Sequence, residues 1–327
     1  MKKNSSNVKI DAVIPWVNGN DVKWQKKINN HKKVKIDFNK KKESVRFNSI
    51  GEIDITIKSI IKYAPFIKNI FLVTDDQTLD SFDNLKSLAR KKGINLALID
   101  HKIIFKDFED CLPCFNSCSI GSMLFRIPNI AEHFVIFNDD TFLMRETKPT
   151  DFFVNNHPVI RGKWLSFSEN QVFKNFFKKY LIKIGLQKKK KGFSFKRVQQ
   201  TSAKLAGTNR YIRRFHTPVS VRKSTLVNFY QNNNLLYNNI KHRFRDESQF
   251  ITSSLSEHLE IKANTYIYKK NIQLTYFRSY KKHFMVKLKL FLFTQNSKNL
   301  FMTFQSLEMA NEKSQKYILN WINKRIE

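Results

Sequence analysis

Along the first half of the chain, short apolar runs alternate with segments of helical period. Ala12, Val13 and Ile14 form a run closed by Pro15 and by Asn18-Gly19, which predicts a strand ending in a turn. Residues 25–46 are basic and polar and predict a loop, or a helix with exposed lysines. Ile53, Ile57, Ile60, Ile61 and Ala64 recur at helical spacing until Pro65, so this stretch predicts a helix. NIFLVTDD (Asn69–Asp76) predicts a strand, SFDNLKSLARKKG a helix closed by Gly93, and INLALID (Ile94–Asp100) another strand. A short helix is expected around Ile120–His133, and FVIFNDD is the next strand. This alternation predicts an α/β fold with a mainly parallel twisted sheet flanked by helices. Such sheets bind ligands beyond the carboxyl ends of their strands. Asp75, Asp76, Asp139 and Asp140 fall at that edge, with the turn that holds Asn18 and Asp21.

After residue 160 the pattern weakens. STLVNFYQNNNLL and DESQFITSSLSEHL predict helices. FMVKLKLFLF (Phe284–Phe293) alternates at Val286, Leu288, Leu290 and Leu292 and predicts a strand. SQKYILNWINKRIE is an amphipathic helix with Tyr317, Ile318, Trp321 and Ile322 on one face. QKKKKGFSFKR predicts a solvated loop. The expected division is an α/β core over residues 1–160 and a basic, mostly helical extension over 161–327 that completes the same site.

Composition narrows the function. With 327 residues, 41% of them hydrophobic and 30 of them Phe, the chain can build a sizeable core; only 8 Gly and 7 Pro argue against a turn-rich all-β protein. Lys and Arg number 59 against 27 Asp and Glu, a net charge of +32, and such a surface favours polyanions. Nucleic acid, anionic lipid and phosphorylated substrates all qualify. No DNA- or RNA-binding module is recognisable and the acids cluster at strand ends, so nucleic acid is not expected as a partner; a basic nucleic-acid-binding protein is the alternative from another class. Cys111, Cys114 and Cys118 form CxxCxxxC without a fourth ligand at zinc spacing, and are read as reduced thiols of a cytosolic protein. The basic start MKKNSSNVKIDAVIPWV has too short an apolar run for a signal peptide, and no segment reaches the ~18 apolar residues of a membrane span.

Two adjacent carboxylates after a buried strand ask for compensation. Asp139 and Asp140 suit a divalent cation, Mg²⁺ or Mn²⁺, that holds a diphosphate. Capping of the following turn, or pairing with Arg145, would also account for them. His216, in RRFHTPVS, suits a general base or a donor to a phosphoryl oxygen; it reads equally as an ordinary surface or core histidine. Arg243 and Arg245, in KHRFRDESQF, suit phosphate contacts, or an exposed basic turn.

Taken in order, these segments resemble the Stealth family of sugar-phosphate transferases. The first block stands as IDAVIPWVNGND (Ile10–Asp21). The second stands as RFNSIGEIDITIKSIIKYAPFIKNIFLVTDDQ, LPCFNSCSIGSMLFRIPNIAEHFVIFNDDTFL and PTDFF. FHTPVSVRKS and HRFRDESQ resemble the His-Pro segment and the Arg-rich turn. Gly121 stands where the family often has an acid, Cys114 where Thr is usual, and Asn296, in LFTQNSKN, where an Asp is expected. The resemblance implies a Rossmann-like, GT-A-like fold. It also implies transfer of a sugar-1-phosphate from a nucleotide sugar, a UDP-hexose or UDP-N-acetylhexosamine, to a glycan hydroxyl of capsular or surface polysaccharide, with release of UMP. The alternative is a metal-dependent glycosyltransferase that releases UDP. The roles implied are catalysis by His216, Asp140 and Arg245, and metal binding by Asp139 and Asp140. Asn18, Gly19, Asp21, Asn116, Ser117, Arg126 and Arg243 would bind substrate. A lipid-linked acceptor and peripheral contact with anionic lipid would place the protein at the cytoplasmic face of the cell membrane.

Overall fold

The apolar run after Lys9 becomes strand β1 (Ile10–Pro15), whose side chains are buried on both faces. This is the signature of a central strand in a parallel sheet. The computed structural model describes residues 8–44, 47, 50–171, 176, 180–182, 184–186, 192–231 and 233–327. Arg46, Asn48 and Ser49 of the second block, and Gln187 with the lysine run 188–191, lie outside the described residues.

Helix α1 (Val22–Asn30) and helix α2 (Glu52–Tyr63) precede β2 (Ile67–Thr74); helix α3 (Phe82–Lys91) leads to β3 (Asn95–Asp100). Helix α4 (Ser117–Met123) and a 3₁₀ turn (Leu124–Arg126) precede β4 (His133–Ile136). The helix expected over Ile120–His133 therefore starts and ends earlier. The Asn116 side chain caps it by accepting from Cys118 N at 3.0 Å, and Pro128 follows its 3₁₀ end. The short strand β5 (Thr141–Leu143) follows β4 at once, and then come β6 (Phe153–Val154) and β7 (His157–Arg161).

The second half adds strands as well as helices: β8 (Lys163–Leu165), α5 (Phe195–Leu205), β9 (Tyr211–Arg213), β10 (Val219–Arg222), α6 (Lys223–Gln231), α7 (Leu235–Ile240) and α8 (Thr252–Ala263). It ends with β11 (Ile267–Lys269), β12 (Leu274–Phe277), α9 (His283–Gln295), β13 (Phe301–Phe304) and α10 (Glu312–Ile326). The strand expected over Phe284–Phe293 is thus helix α9. Val286, Leu290 and Phe293 are its buried residues, an i, i+4, i+7 spacing, while Leu288 and Leu292 of the apparent alternation face solvent.

The main sheet runs β10-β4-β1-β2-β3, with β1 to β4 parallel and β10 antiparallel to β4. Alternate side chains feed two cores. On one face Ala12, Ile14 and Leu72 pack against Ile57, Ile60 and Ile61 of α2 and Leu85 of α3. On the other, Val13, Phe71 and Phe134 pack against Met123, Leu226 and Leu255. A second sheet, β12-β13-β5, carries α9 and α10. The two sequence halves are interleaved: β10 joins the first-half sheet, β13 pairs with β5, and β11 pairs with β7.

Asp11 locks this arrangement. Fully buried in β1, it accepts from Asn69 N (3.2 Å), Asn69 Nδ2 (2.7 Å) and Ala131 N (2.8 Å). It so ties β1 to β2 and to the segment entering β4.

Candidate active site

Strand order reverses at β1, with β2 and β3 to one side and β4 to the other, so the chain diverges at the carboxyl ends of β1 and β4. A crevice opens at such a point in open α/β sheets. The Asp139–Asp140 turn leaves β4 there. Its backbone is held by Thr56 Oγ1, which donates to Asp139 O at 2.7 Å, and by Phe304 N, which donates to Asp140 O at 3.2 Å.

The two carboxylates are half-buried, and among the described residues no Lys, Arg or His forms an ion pair with either. Arg145 is engaged elsewhere: its guanidinium donates to Phe293 O (2.8 Å), Asn299 O (3.1 Å), Asn296 O (3.3 Å) and Thr294 O (3.4 Å). The pairing with Arg145 entertained from the sequence is therefore not made. Burial and then nearby Glu52 push the Asp139 carboxyl above the usual carboxylate range. Burial and then Asp139 itself do the same to Asp140.

Glu52 escaped the sequence reading. On α2 the polar residues Glu52, Thr56 and Ser59 stand at i, i+4 and i+7, all buried; Thr56 bonds Asp139 O, and Ser59 Oγ accepts from Leu143 N at 3.1 Å. A polar stripe among isoleucines was the available signal. Glu52 itself accepts from Ile50 N at 2.6 Å.

His216 lies just before β10. Because Val219 pairs with Ile136 in an antiparallel register, the chain entering β10 meets the chain leaving β4. Thr303 Oγ1 of β13 donates to His216 O (2.8 Å) and lies 3.1 Å from Thr141 Oγ1, which is 3.4 Å from Asp140 Oδ1. Each hydroxyl has one proton. Thr303 gives its own to His216 O, so Thr141 must choose between Thr303 and Asp140. The His216 ring stacks on Tyr276, centroids 5.0 Å apart, and its Nδ1 is buried with no hydrogen-bond partner. Burial first, and then Arg214, lowers its pKa, so the ring is neutral near pH 7.

Arg245 is a candidate cation for this edge. Its Nη2 donates to Ser117 Oγ at 2.9 Å, its Nε is buried without a partner, and it lies over the rings of Phe195 (4.7 Å) and Phe193 (5.3 Å). No carboxylate among the described residues pairs with it. Ser117 opens α4. A helix that crosses between parallel strands runs against them, so its N-terminus sits at the sheet edge that also carries Asp139 and Asp140.

The other sequence candidates are engaged within the fold. Gly19 N donates to Phe47 O (3.1 Å), and a Cβ at Gly19 would come within 2.0 Å of that oxygen, so only glycine fits. Asp21 caps α1 by accepting from Lys23 N (2.8 Å) and Trp24 N (3.3 Å), and also from Gln77 Nε2 (2.9 Å). Burial works to raise its carboxyl, but these hydrogen bonds outweigh it and hold it low. Gln77 further accepts from Asn18 N (2.9 Å) and donates to Asn18 O (3.0 Å). Fully buried Asn116 donates to His242 O, Phe244 O and Gln249 Oε1 at 2.8–2.9 Å, which seats the Arg-rich turn on α4. Arg243 donates to Leu112 O and Pro113 O, both at 2.9 Å, and Arg126 to Ile104 O (3.1 Å), Lys106 O (2.6 Å) and Asp107 (3.2 Å). The structure thus brings Asp139, Asp140 and His216 together, sets Ser117 and Arg245 on the same sheet edge, and employs Gly19, Asp21, Asn116, Arg126 and Arg243 in holding it.

Among the described residues no group of three or more His, Cys, Asp or Glu is arranged to hold a metal alone. A pair of carboxylates still suits Mg²⁺ or Mn²⁺, which take one or two carboxylates and fill the remaining positions with phosphate oxygens and water. The three cysteines are buried free thiols; burial pushes Cys114 up to about 12 and, with Asp110, Cys111 up to about 11.

Comparison with known proteins adds the following. Residues 8–30 match the model of Stealth protein conserved region 1, and residues 46–160 that of conserved region 2. An exopolysaccharide phosphotransferase of Lactiplantibacillus plantarum is 40% identical over 144 residues, which are 44% of this chain and 39% of that protein. A capsular polysaccharide phosphotransferase of Haemophilus influenzae is 37% identical over 150 residues, 46% of this chain and 39% of that one. The matched stretch thus spans about two fifths of these relatives. Mouse xyloside xylosyltransferase 1 in its apo form aligns over 94% of this chain and 99% of its own at 9% identity and a TM-score of 0.38, a likeness too loose to carry an argument. Two conserved regions of the Stealth family are thus matched in order, and residues 8–30 and 46–160 of this chain are similar to that family.

Proposed function

We propose that the protein transfers a sugar-1-phosphate from a nucleotide sugar, a UDP-hexose or UDP-N-acetylhexosamine, to a glycan hydroxyl, forming a phosphodiester. The observation that carries this reading is the Asp139–Asp140 pair at the divergence of the sheet, which no cation among the described residues compensates, beside neutral His216 and on the edge that holds Arg245, which no described carboxylate pairs. The phosphotransferase names of the relatives support it.

Phosphoryl transfer asks for positioning and charge neutralisation. The acceptor oxygen attacks the phosphorus that bears the sugar. The bond from that phosphorus to the bridging oxygen breaks, and UMP departs with that oxygen. His216, neutral at pH 7, takes the hydroxyl proton on a ring nitrogen. Arg245 offsets charge on the transferred phosphoryl oxygens. Asp139 and Asp140 would hold Mg²⁺ or Mn²⁺, which supplies charge neutralisation at the diphosphate. Asn18, Gly19 and Asp21 keep the loop after β1 shaped for the nucleotide end. A lipid-linked acceptor at the cytoplasmic face of a membrane is the setting we assign to this reaction. No helix among the described residues is long and apolar enough to cross a membrane.

The test is mass spectrometry of the products formed from UDP-sugars and a capsule-type acceptor glycan. The expected products are UMP and a glycan heavier by sugar plus phosphate. Release of UDP with a phosphate-free product would replace this reading with glycosyl transfer.

A further inference from the structure

Helix α9 presents an apolar face to solvent. At ~100° per residue, Phe284, Met285, Leu288, Phe291 and Leu292 share one side of the helix, roughly opposite the buried Val286, Leu290 and Phe293. Phe284 is 61%, Phe291 58% and Leu292 55% exposed, values unusual for side chains of this size in one contiguous stripe. Lys281, Lys282, Lys287 and Lys298 are exposed around the stripe, and no Asp or Glu occurs from Lys281 to Lys298. The helix has 13 residues, ~20 Å, too short to span a bilayer but long enough to lie in its surface.

We propose that α9 is a docking surface for an anionic phospholipid bilayer. The stripe would enter the boundary between headgroups and acyl chains, with the lysines against lipid phosphates. Charge selects this occupant: two copies joined face to face would bring their lysines together without an acid between them, whereas an anionic membrane complements both the local cluster and the net charge of +32. The helix is firmly mounted. His283 Nδ1 lies 3.0 Å from Ser314 Oγ of α10, and Lys289 Nζ donates to Tyr276 O, whose ring stacks on His216. On the transferase reading, docking would set that edge of the site close to the membrane, but the surface itself does not depend on which group is transferred.

The experiment is flotation of the full chain with pure phosphatidylcholine vesicles and with equimolar phosphatidylcholine–phosphatidylglycerol vesicles. The parent should float with the anionic vesicles and not with the neutral ones. The variant Phe284→Ser/Leu288→Ser/Phe291→Ser should lose about tenfold or more in partitioning at an unchanged melting temperature. Lys281→Gln/Lys282→Gln/Lys287→Gln should weaken binding and flatten its salt dependence. Three results would each overturn the proposal: unchanged flotation of the folded serine variant, equal binding to neutral vesicles, or a dimer in sedimentation that the serine substitutions dissolve while flotation is lacking.

Discussion

Asp139 and Asp140 carry the site's electrostatics. Both carboxyls are raised above their ordinary value of 3.8, Asp139 by burial and Glu52, and Asp140 by burial, Asp139 and Glu52. Each therefore binds its proton more tightly in the folded chain than in the unfolded one. The stability they contribute is complete below about pH 4 and is lost as pH rises through the raised folded values. In metal-free buffer at pH 8, Asp140→Asn should melt above the parent, by about 1–2 kcal/mol, with the gap closing toward pH 4. Mg²⁺ should raise the parent's melting temperature and leave the variant's unmoved. Thermal scans across pH, with and without Mg²⁺, read both effects, and a variant that melts lower at pH 8 would refute the repulsion. The pair was legible in the sequence because two charges interrupt an apolar strand. Glu52 was not, because a glutamate in the first turn of a helix is ordinary until the fold turns it toward the Asp139–Asp140 turn.

At the scale of elements, β13 joins the two parts of the site. It pairs with β5 through Thr303 and Thr141, and Thr303 also holds the His216 carbonyl. Thr303→Val keeps the volume and removes the hydroxyl. Its expected cost is about 1 kcal/mol of stability, with turnover down about tenfold and the donor KM little changed. Steady-state kinetics beside a thermal melt separates the outcomes; parental turnover would mean that this link does not position His216. Nothing in FMTF announces that role, since the partner strand lies more than 150 residues earlier. Helix α9 misled for a related reason. Lys and Leu alternate there with period two, yet Leu, Lys and Met form helices readily, and only a narrow face packs.

For the whole molecule, the interleaving of the halves governs what can fold alone. Removing residues 161–327 strips β10 from the edge of β4 and β13 from β5, and uncovers the face that Leu226 and Leu255 seal. A fragment of residues 1–160 should therefore not unfold cooperatively and should aggregate through the bared edges. Near-UV circular dichroism and a thermal melt of the fragment decide this; a soluble, cooperative fragment would show that the matched conserved regions suffice.

By itself the sequence determined the order and type of the β1–β4 units, because strand and helix periods are local properties and Pro65, Gly93 and Asn18-Gly19 punctuate them. It also determined the acids at the strand ends and the basic excess. Only the tertiary structure decided which of the named residues are free to act. Gly19, Asn116, Arg126 and Arg243 hold the fold together, whereas among the described residues Asp139 and Asp140 are left without a cation and Arg245 without a carboxylate. A side chain's partners come from segments a hundred or more residues away, and no local pattern records which donors and acceptors the folded chain has already matched.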